Sequence, residues 1–348
     1  MIRLDGAIGE GGGQVLRTAL TLSCITAVPF TITNIRARRK KPGLRPQHLK
    51  AVQAAGEIAQ ARVQGARTGA SELIFQPGKL RGGDFRFDIG TAGATSLVLQ
   101  TVLLPLCLVG RASTVTITGG THVPWSPSFH YLQWQWLPFL QKMGVRAQVF
   151  LDLAGFYPQG GGRIHANIQP AGQLHPLQLR ERGALRAIHC LSMTANLPEH
   201  VLRRQADRVA QRLGKTYPLR IETAQVKSRF KGTMLLLLAE FESGQACYFG
   251  LGKRGKPAEK VADEALDALE RFMSTQATVD QYLADQLLLP LSLAEGESEY
   301  LTPEVTQHLV TNAAVIRRFL PVEIEITGEI GYPGRVRVAP AKARSPRG

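Results

Sequence analysis

Only four cysteines occur in the 348 residues, Cys24, Cys107, Cys190 and Cys247, and no two form a C-x-x-C pair. That scarcity excludes a disulfide scaffold and gives no basis for a zinc site; the apolar surroundings of each thiol predict reduced core residues. Long hydrophobic runs are missing as well. No stretch approaches the roughly 18 apolar residues that cross a bilayer, and the opening MIRLDGAIGEGG has no apolar signal centre. The expectation is a cytoplasmic protein with no membrane partner. Several catalytic signatures are absent: the glycine run at 11–13 lacks the G-K-[ST] ending of a Walker A loop and is no clean G-x-G-x-x-G turn, and neither H-E-x-x-H nor a Ser-His-Asp pattern occurs. Acidic charge is short, with 27 Asp and Glu against 42 Lys and Arg, a formal charge of +15. Such an imbalance favours an anionic partner, nucleic acid or nucleotide.

What is present points to a repeat. With 44% apolar residues, the chain can bury a sizeable core, and its length suggests two domains. The stretch EGGGQVLRTALTLSC follows Gly9 as TAGATSLVLQTVLLP follows Gly90. RPQHLKAVQAAGEIAQARV around His48 likewise parallels PSFHYLQWQWLPFLQKMGV around His130, so both markers give an offset of about 82 residues. A third copy of the helix, EVTQHLVTNAAVIRRF, carries His308, but there the spacing exceeds one period by about 96 residues, the size of a small domain. The expected organisation is therefore a large repeat-built domain at 1–178 plus 279–339, a small inserted α+β domain at 179–278, and a loose basic tail at 340–348. Within the insert, EHVLRRQADRVAQRLGK and PAEKVADEALDALERFMS read as amphipathic helices, and TMLLLLAEF and ACYFGLG as strands.

Two stretches could carry chemistry. NIRARRKKPGLRPQH holds Arg36, Arg38, Arg39, Lys40, Lys41 and Arg45 before the His48 helix. It is either a solvated basic loop or a phosphate cradle, since arginine forks suit phosphate oxygens. Glu10 stands just before three glycines that open a helix beginning with Gln14 and Arg17. Helix-start N–H groups attract anions, and Glu10 could hold a divalent cation shared with a polyphosphate, or could be an exposed residue beside a packing turn. His308, His48 and His130 share a repeat position, so position alone selects no catalytic histidine.

Taken together, GEGGGQVLRTAL, NIRARRKKPGLRPQHLKA, GTAGATSLVLQT, GGTHVPWSPSFHYL, FYPQGGGR, YLADQLLLPLSLA and HLVTNAAVI resemble the RNA 3'-terminal phosphate cyclase family. The resemblance spans almost the whole chain. It implies an α+β fold of three repeated βαβαββ units, similar to the C-terminal half of translation initiation factor three, with a small domain inserted in the third. It implies that ATP adenylates a histidine, matched here by His308, that AMP passes to an RNA 3'-phosphate, and that the 2'-hydroxyl closes a 2',3'-cyclic phosphate. Glu10 matches the ligand of a divalent cation, Mg or Mn. Gln14, Arg17, Arg36, Arg39 and Gln47 match positions that hold phosphates of ATP or of the RNA end. Gln100, Pro127 and the run Tyr282, Leu283, Ala284, Asp285 and Gln286 match the nucleotide pocket. Arg38 stands where some relatives carry glycine and receives no role. Alternatives are a catalytically silent relative acting in ribosome assembly, which would lack the histidine, an enolpyruvyl transferase built from a similar unit, and a plain RNA-binding module.

Overall fold

The computed structural model describes residues 1–341; the expected tail beyond Ala341 lies outside the described residues. The chain opens with β1 (Ile2–Asp5), α1 (Gln14–Thr26), β2 (Phe30–Thr33), α2 (Pro46–Ile58), β3 (Arg62–Gln64) and β4 (Leu73–Gln76). β1 runs parallel to β2, β2 antiparallel to β4, and β4 antiparallel to β3. Next come β5 (Asp84–Asp88), α3 (Thr95–Cys107), β6 (Ser113–Gly119), a helical run made of α4 (Phe129–Tyr131), a π-helical turn (Leu132–Trp136) and α5 (Leu137–Lys142), then β7 (Arg146–Leu153) and β8 (Gly162–Gln169). Their sheet has the order β5-β6-β8-β7 with the same succession of parallel and antiparallel pairs.

After the two-residue strand β9 (Gln178–Leu179) the chain departs into β10 (Leu185–Ala195), α6 (Glu199–Leu213), β11 (Leu219–Gln225), β12 (Gly232–Phe241), β13 (Gln245–Leu251) and α7 (Ala258–Met273). It returns through α8 (Gln281–Leu291), β14 (Ser298–Thr302), α9 (Gln307–Phe319), β15 (Val322–Thr327) and β16 (Gly334–Pro340). β9 is parallel to β14, β14 antiparallel to β16 and β16 antiparallel to β15, the pairing scheme of the first two sheets. The excursion forms its own sheet, ordered β11-β10-β12-β13. Among the described residues the result is a mixed α/β arrangement of four four-stranded sheets and packed helices.

Two large apolar cores divide these elements, beside a small cluster of Ala94, Leu97 and Val123. The larger unites the helices and inner faces of the first, second and third sheets; the smaller lies between the fourth sheet and α6 and α7, and includes Val209, Leu213, Leu266 and Phe272. The fourth sheet faces both ways: Leu191, Met193, Met234 and Leu236 belong to the large core, whereas Ile188, Cys190, Leu235 and Leu237 belong to the small one. This is the period-two alternation of a strand applied to two apolar faces. α6 and α7 are joined on their solvent side by Arg204, Arg208 and Arg212, at helical spacing, reaching Glu259, Asp263, Asp267 and Glu270. All four cysteines are buried. Among the described residues no helix is long and apolar enough to cross a membrane.

For the site, the decisive packing is that of α1 against α9, α3 and α2, and of α8 against α9. It gathers the helix starts Gln14 and His308 with Asp285 of α8 where two adjoining openings meet. α9 begins where the Thr306 hydroxyl accepts from the Leu309 N–H at 3.0 Å, and α8 where Asp280 Oδ1 accepts from the N–H groups of Tyr282 (3.0 Å) and Leu283 (2.9 Å). α1 has no side-chain cap; Gly13 takes the N-cap position, which leaves backbone donors at its start unclaimed by side chains.

Candidate active site

A cleft of about 630 Å³ opens between the glycine turn, the basic loop and the segments around Trp125 and Tyr157. Arg17, Arg36, Arg39 and Arg45 converge on it, and Glu10 is a carboxylate on its wall. An inner cavity of about 90 Å³ adjoins it, sharing Gln14 and Arg17 and lined further by Gln100, Asp285 and Gln286.

At the junction stands His308, the second residue of α9. Its Nδ1 lies 2.8 Å from Gln14 Oε1 and its Nε2 3.1 Å from Glu10 Oε2. The same Glu10 oxygen is 3.0 Å from an Arg39 nitrogen. Gln14 in turn donates from Nε2 to Asp285 Oδ1 at 2.5 Å. That donation fixes the orientation of the Gln14 amide, because its nitrogen faces the carboxylate and its oxygen must face the imidazole, making Nδ1–H the donor. Nε2 is then the ring atom left to deal with Glu10 and the cleft. Asp285 is held on its other side by Asn312, which donates to its main-chain oxygen at 3.0 Å and accepts from the Thr18 hydroxyl at 2.7 Å. Burial raises the Asp285 carboxyl above its ordinary range, opposed by His308, Asn312 and Arg17. Arg17 is pulled down to about 10 by burial, with Asp285 acting in the opposite sense, so it stays a cation at neutral pH. A desolvated guanidinium at the cleft is a strong anion site.

The basic loop is built rather than loose. Arg36 sits at φ 56°, and its guanidinium donates to the main-chain oxygens of Lys41 (2.7 Å) and Gly43 (3.0 Å). Burial first, then the charges of Arg45 and Arg39, lowers its pKa. Arg38 crosses to the glycine turn, donating to the Gly9 oxygen at 3.0 Å. Gln47 Oε1 accepts from the Ala94 N–H at 3.0 Å, so it ties α2 to the start of α3 at the cleft wall.

His48 shows what the sequence alone conceals. It is the third residue of α2, one step further along than His130 in α4 or His308 in α9. Its Nδ1 accepts the Arg45 N–H at 3.3 Å, and burial, followed by the charges of Arg17, Arg36 and Arg45, drives its pKa down to about 3. With Nδ1 an acceptor, the neutral ring carries its proton on Nε2, which faces Gly13 at the cleft. Arg45 and Trp125 are further cleft residues to which the sequence motifs assign no role. The Pro-Gly turn ahead of α2 is the available signal for the first, and none marks the second. His130 lies apart, half-buried against the buried His122 with a ring-nitrogen separation of 2.9 Å.

The expected nucleotide residues fall into separate places. Gln100 donates to Gln286 Oε1 at 2.6 Å, and both line the inner cavity with Asp285. Pro127 and Tyr282 line neither opening; Tyr282 is 55% exposed, and Pro127 immediately follows Ser126 of the cleft wall. Leu283 and Ala284 are buried in the large core and line neither opening, because the helical period turns them inward. Among the described residues no group of three potential metal ligands occurs. Glu10 by itself fits a cation held chiefly by a ligand's phosphates, the usual manner for Mg²⁺.

A family profile described as RNA 3'-terminal phosphate cyclase matches residues 8–326. The RNA 3'-terminal phosphate cyclase of Ralstonia nicotianae is 47% identical over 329 residues, 94% of each chain. That of Nostoc punctiforme is 45% identical over 334 residues, covering 94% of this chain and 96% of its own. The cyclase of Caldivirga maquilingensis is 43% identical over 355 residues, covering 100% of this chain and 99% of its own. Among solved structures, the enolpyruvyl transferase NikO from Streptomyces tendae aligns with 97% of this chain and 48% of its own at 10% identity and a TM-score of 0.38, too slight a likeness to bear on fold or function.

Proposed function

This chain belongs to the RNA 3'-terminal phosphate cyclase family and is an enzyme of that activity; from that premise we propose that it forms a 2',3'-cyclic phosphate through a covalent histidine–AMP intermediate on His308. The observation that carries this reading is the placement of His308 at the mouth of the arginine-lined cleft, with Nδ1 engaged by Gln14 and Nε2 directed to Glu10. Nδ1–H donation to Gln14 leaves Nε2 as the nucleophilic atom once the proton between it and Glu10 passes to the carboxylate and the contact opens. Nε2 forms a bond to the α-phosphorus of ATP while the bond to pyrophosphate breaks. An oxygen of the RNA 3'-phosphate then takes the adenylyl group and frees the imidazole. Finally the RNA 2'-oxygen bonds to the 3'-phosphorus, gives up its proton, and AMP departs.

Arg17, Arg36 and Arg39 hold phosphate oxygens in these steps, and Gln14 and Gln47 fix the geometry around them. The neutral His48 offers an Nε2–H to the same anions. Gln100, Asp285 and Gln286 position the polar edge of the nucleotide, and Pro127 and Tyr282 its apolar faces. A Mg²⁺ or Mn²⁺ ion at Glu10, when bound, would neutralise charge on the leaving pyrophosphate. The enzyme is cytoplasmic, in keeping with a soluble RNA substrate.

We also read the three like-ordered sheets as three copies of one βαβαββ unit, similar to the C-terminal half of translation initiation factor three. On this reading residues 1–178 plus 279–339 form the large domain, and 179–278 an insertion in the third copy. The shared pairing scheme and the separate small core support it.

Protein incubated with ATP labelled at the α-phosphate and a divalent ion should carry acid-labile, alkali-stable AMP, and His308→Ala should carry none. Equal labelling of the variant would refute the assignment of the nucleophile. RNA ending in 3'-phosphate should be cyclised and RNA ending in 3'-hydroxyl left unchanged.

A further inference from the structure

Trp125 is 94% exposed and holds φ 59°, a left-handed conformation that bulky side chains avoid. Exposing the largest apolar side chain and straining its backbone at once calls for a functional cause, since either alone is unfavourable. The ring stands on the wall of the arginine-lined cleft. Tyr157, 60% exposed, stands on the same wall, and a bridge between His122 and Phe156 lays the two segments side by side.

The wall continues onto the fourth sheet. The Ala154 N–H donates to the Lys227 oxygen at 2.9 Å, and Phe230 with the stem of Arg229 covers Gly161, next to the Gly160 that packs on Ala92 of the cleft. Phe230 is 38% exposed, and Lys227, Arg229 and Lys231 around it are exposed. Aromatic faces alternating with cations beside a phosphate-binding cleft are the elements by which proteins hold single-stranded nucleic acid: bases stack on the rings and the backbone follows the charges.

We propose that Trp125 and Tyr157 form a stacking platform for bases near the 3' end of a single-stranded RNA, and that Lys227, Arg229 and Lys231 carry its backbone onward over the inserted sheet. This rests on the reading that the cleft receives an RNA end, and it gives the insertion a purpose, because the added surface lengthens the grip on the strand. Two geometric features make the path continuous. The loop at 227–231 is held against the cleft wall by main-chain hydrogen bonding, and Asn196 Nδ2 fixes it by donating to the oxygens of Ser228 (2.9 Å) and Phe230 (3.2 Å).

The test is titration of labelled single-stranded RNAs ending in 3'-phosphate, without ATP, read by fluorescence anisotropy. Wild type should bind more tightly as the RNA lengthens from about two to about eight nucleotides. Trp125→Gly, which suits a positive φ and so preserves the loop, should lose about tenfold in affinity for the longer RNA, and Trp125→Phe should retain most of it. An abasic residue at one of the last three positions should weaken wild type about tenfold and Trp125→Gly no further. Equal binding by Trp125→Gly and wild type, an abasic penalty undiminished in the variant, or equal affinity for a duplex would overturn the platform. Replacing all three cations, Lys227→Gln, Arg229→Gln and Lys231→Gln, should flatten the dependence of log affinity on log salt by about 2; an unchanged slope removes the insertion from the path. Failure of the wild type to take up AMP would count against the covalent mechanism and leave these binding results standing.

Discussion

A methyl group on residue 13 would collide with His48 Nε2 and lie 2.9 Å from an Arg17 nitrogen. Gly13 is at φ −80°, so it needs no unusual backbone; it is bare because two side chains of the cleft crowd it. Gly13→Ala is therefore expected to displace His48 and to slow AMP uptake at least about tenfold, with a loss of stability of about 1–3 kcal/mol. Labelling rate and denaturant midpoint measured together would check both halves. Gly9 differs: it holds φ 62° and faces Thr311, so backbone and space both demand glycine there. Gln14 makes a second residue-scale prediction. Its amide joins His308 to Asp285 without titrating, whereas Gln14→Glu would set a carboxyl group 2.5 Å from Asp285 Oδ1. The pair would then share a proton, and labelling should acquire a new pH dependence near neutrality; a profile parallel to that of wild type would contradict the orienting role. Glu10 and Arg17 can be picked out in the sequence because charged residues beside a glycine turn are conspicuous, and Arg39 because it lies in a dense basic run. The link through Gln14 to Asp285 cannot, since it joins positions 271 residues apart.

Elements explain which motif positions reach the site. YLADQ is expected at the nucleotide pocket as a block, but as part of α8 it presents Asp285 and Gln286 to the inner cavity and buries Leu283 and Ala284. The helical period imposes that split, and a motif read as a string does not display it. α6 and α7 are legible because each has one apolar stripe and one charged face. β10 is not legible as a strand because ten of its eleven residues are not exposed, so LRAIHCLSMTA shows no polar alternation. α2 depends on its first turn, where Pro46 and the acceptor Nδ1 of His48 stand in for an ordinary cap. His48→Ala removes both this acceptor and a buried ring, and should destabilise the fold by about 2–4 kcal/mol in thermal or denaturant unfolding. His48→Asn should recover part of the loss, because a short amide oxygen can accept at such a position.

Protonation acts on the molecule as a whole. His48 at about 3, His130 at about 4 and His122 below its ordinary value are all depressed, chiefly by burial. Their stabilisation is complete above the unfolded value of about 6.5 and is lost as pH falls, because the unfolded chain then binds protons that the folded chain refuses. Asp280 works the other way: burial raises it to about 6 against its accepted hydrogen bonds, so the folded state holds a proton that the unfolded state has released. Its share of stability is present in acid and fades as pH rises from about 4 to 6. The three histidines oppose two raised carboxyls, Asp280 and Asp285, so stability should fall as pH drops from about 6 toward 4. Urea midpoints across that range would check it, and Asp280→Asn should steepen the loss. Asp280 also accepts from Tyr131 Oη and Gln135 Nε2, each at 2.8 Å, and from the Cys247 N–H at 3.2 Å, so one carboxyl spans the second sheet's helical run, the fourth sheet and α8. With the fourth sheet contributing a face to each core, neither core can be opened to water without damaging the other. Heating should accordingly give one calorimetric peak whose van't Hoff and measured enthalpies agree. The fourth sheet is a party wall, and neither room stands once it is taken down.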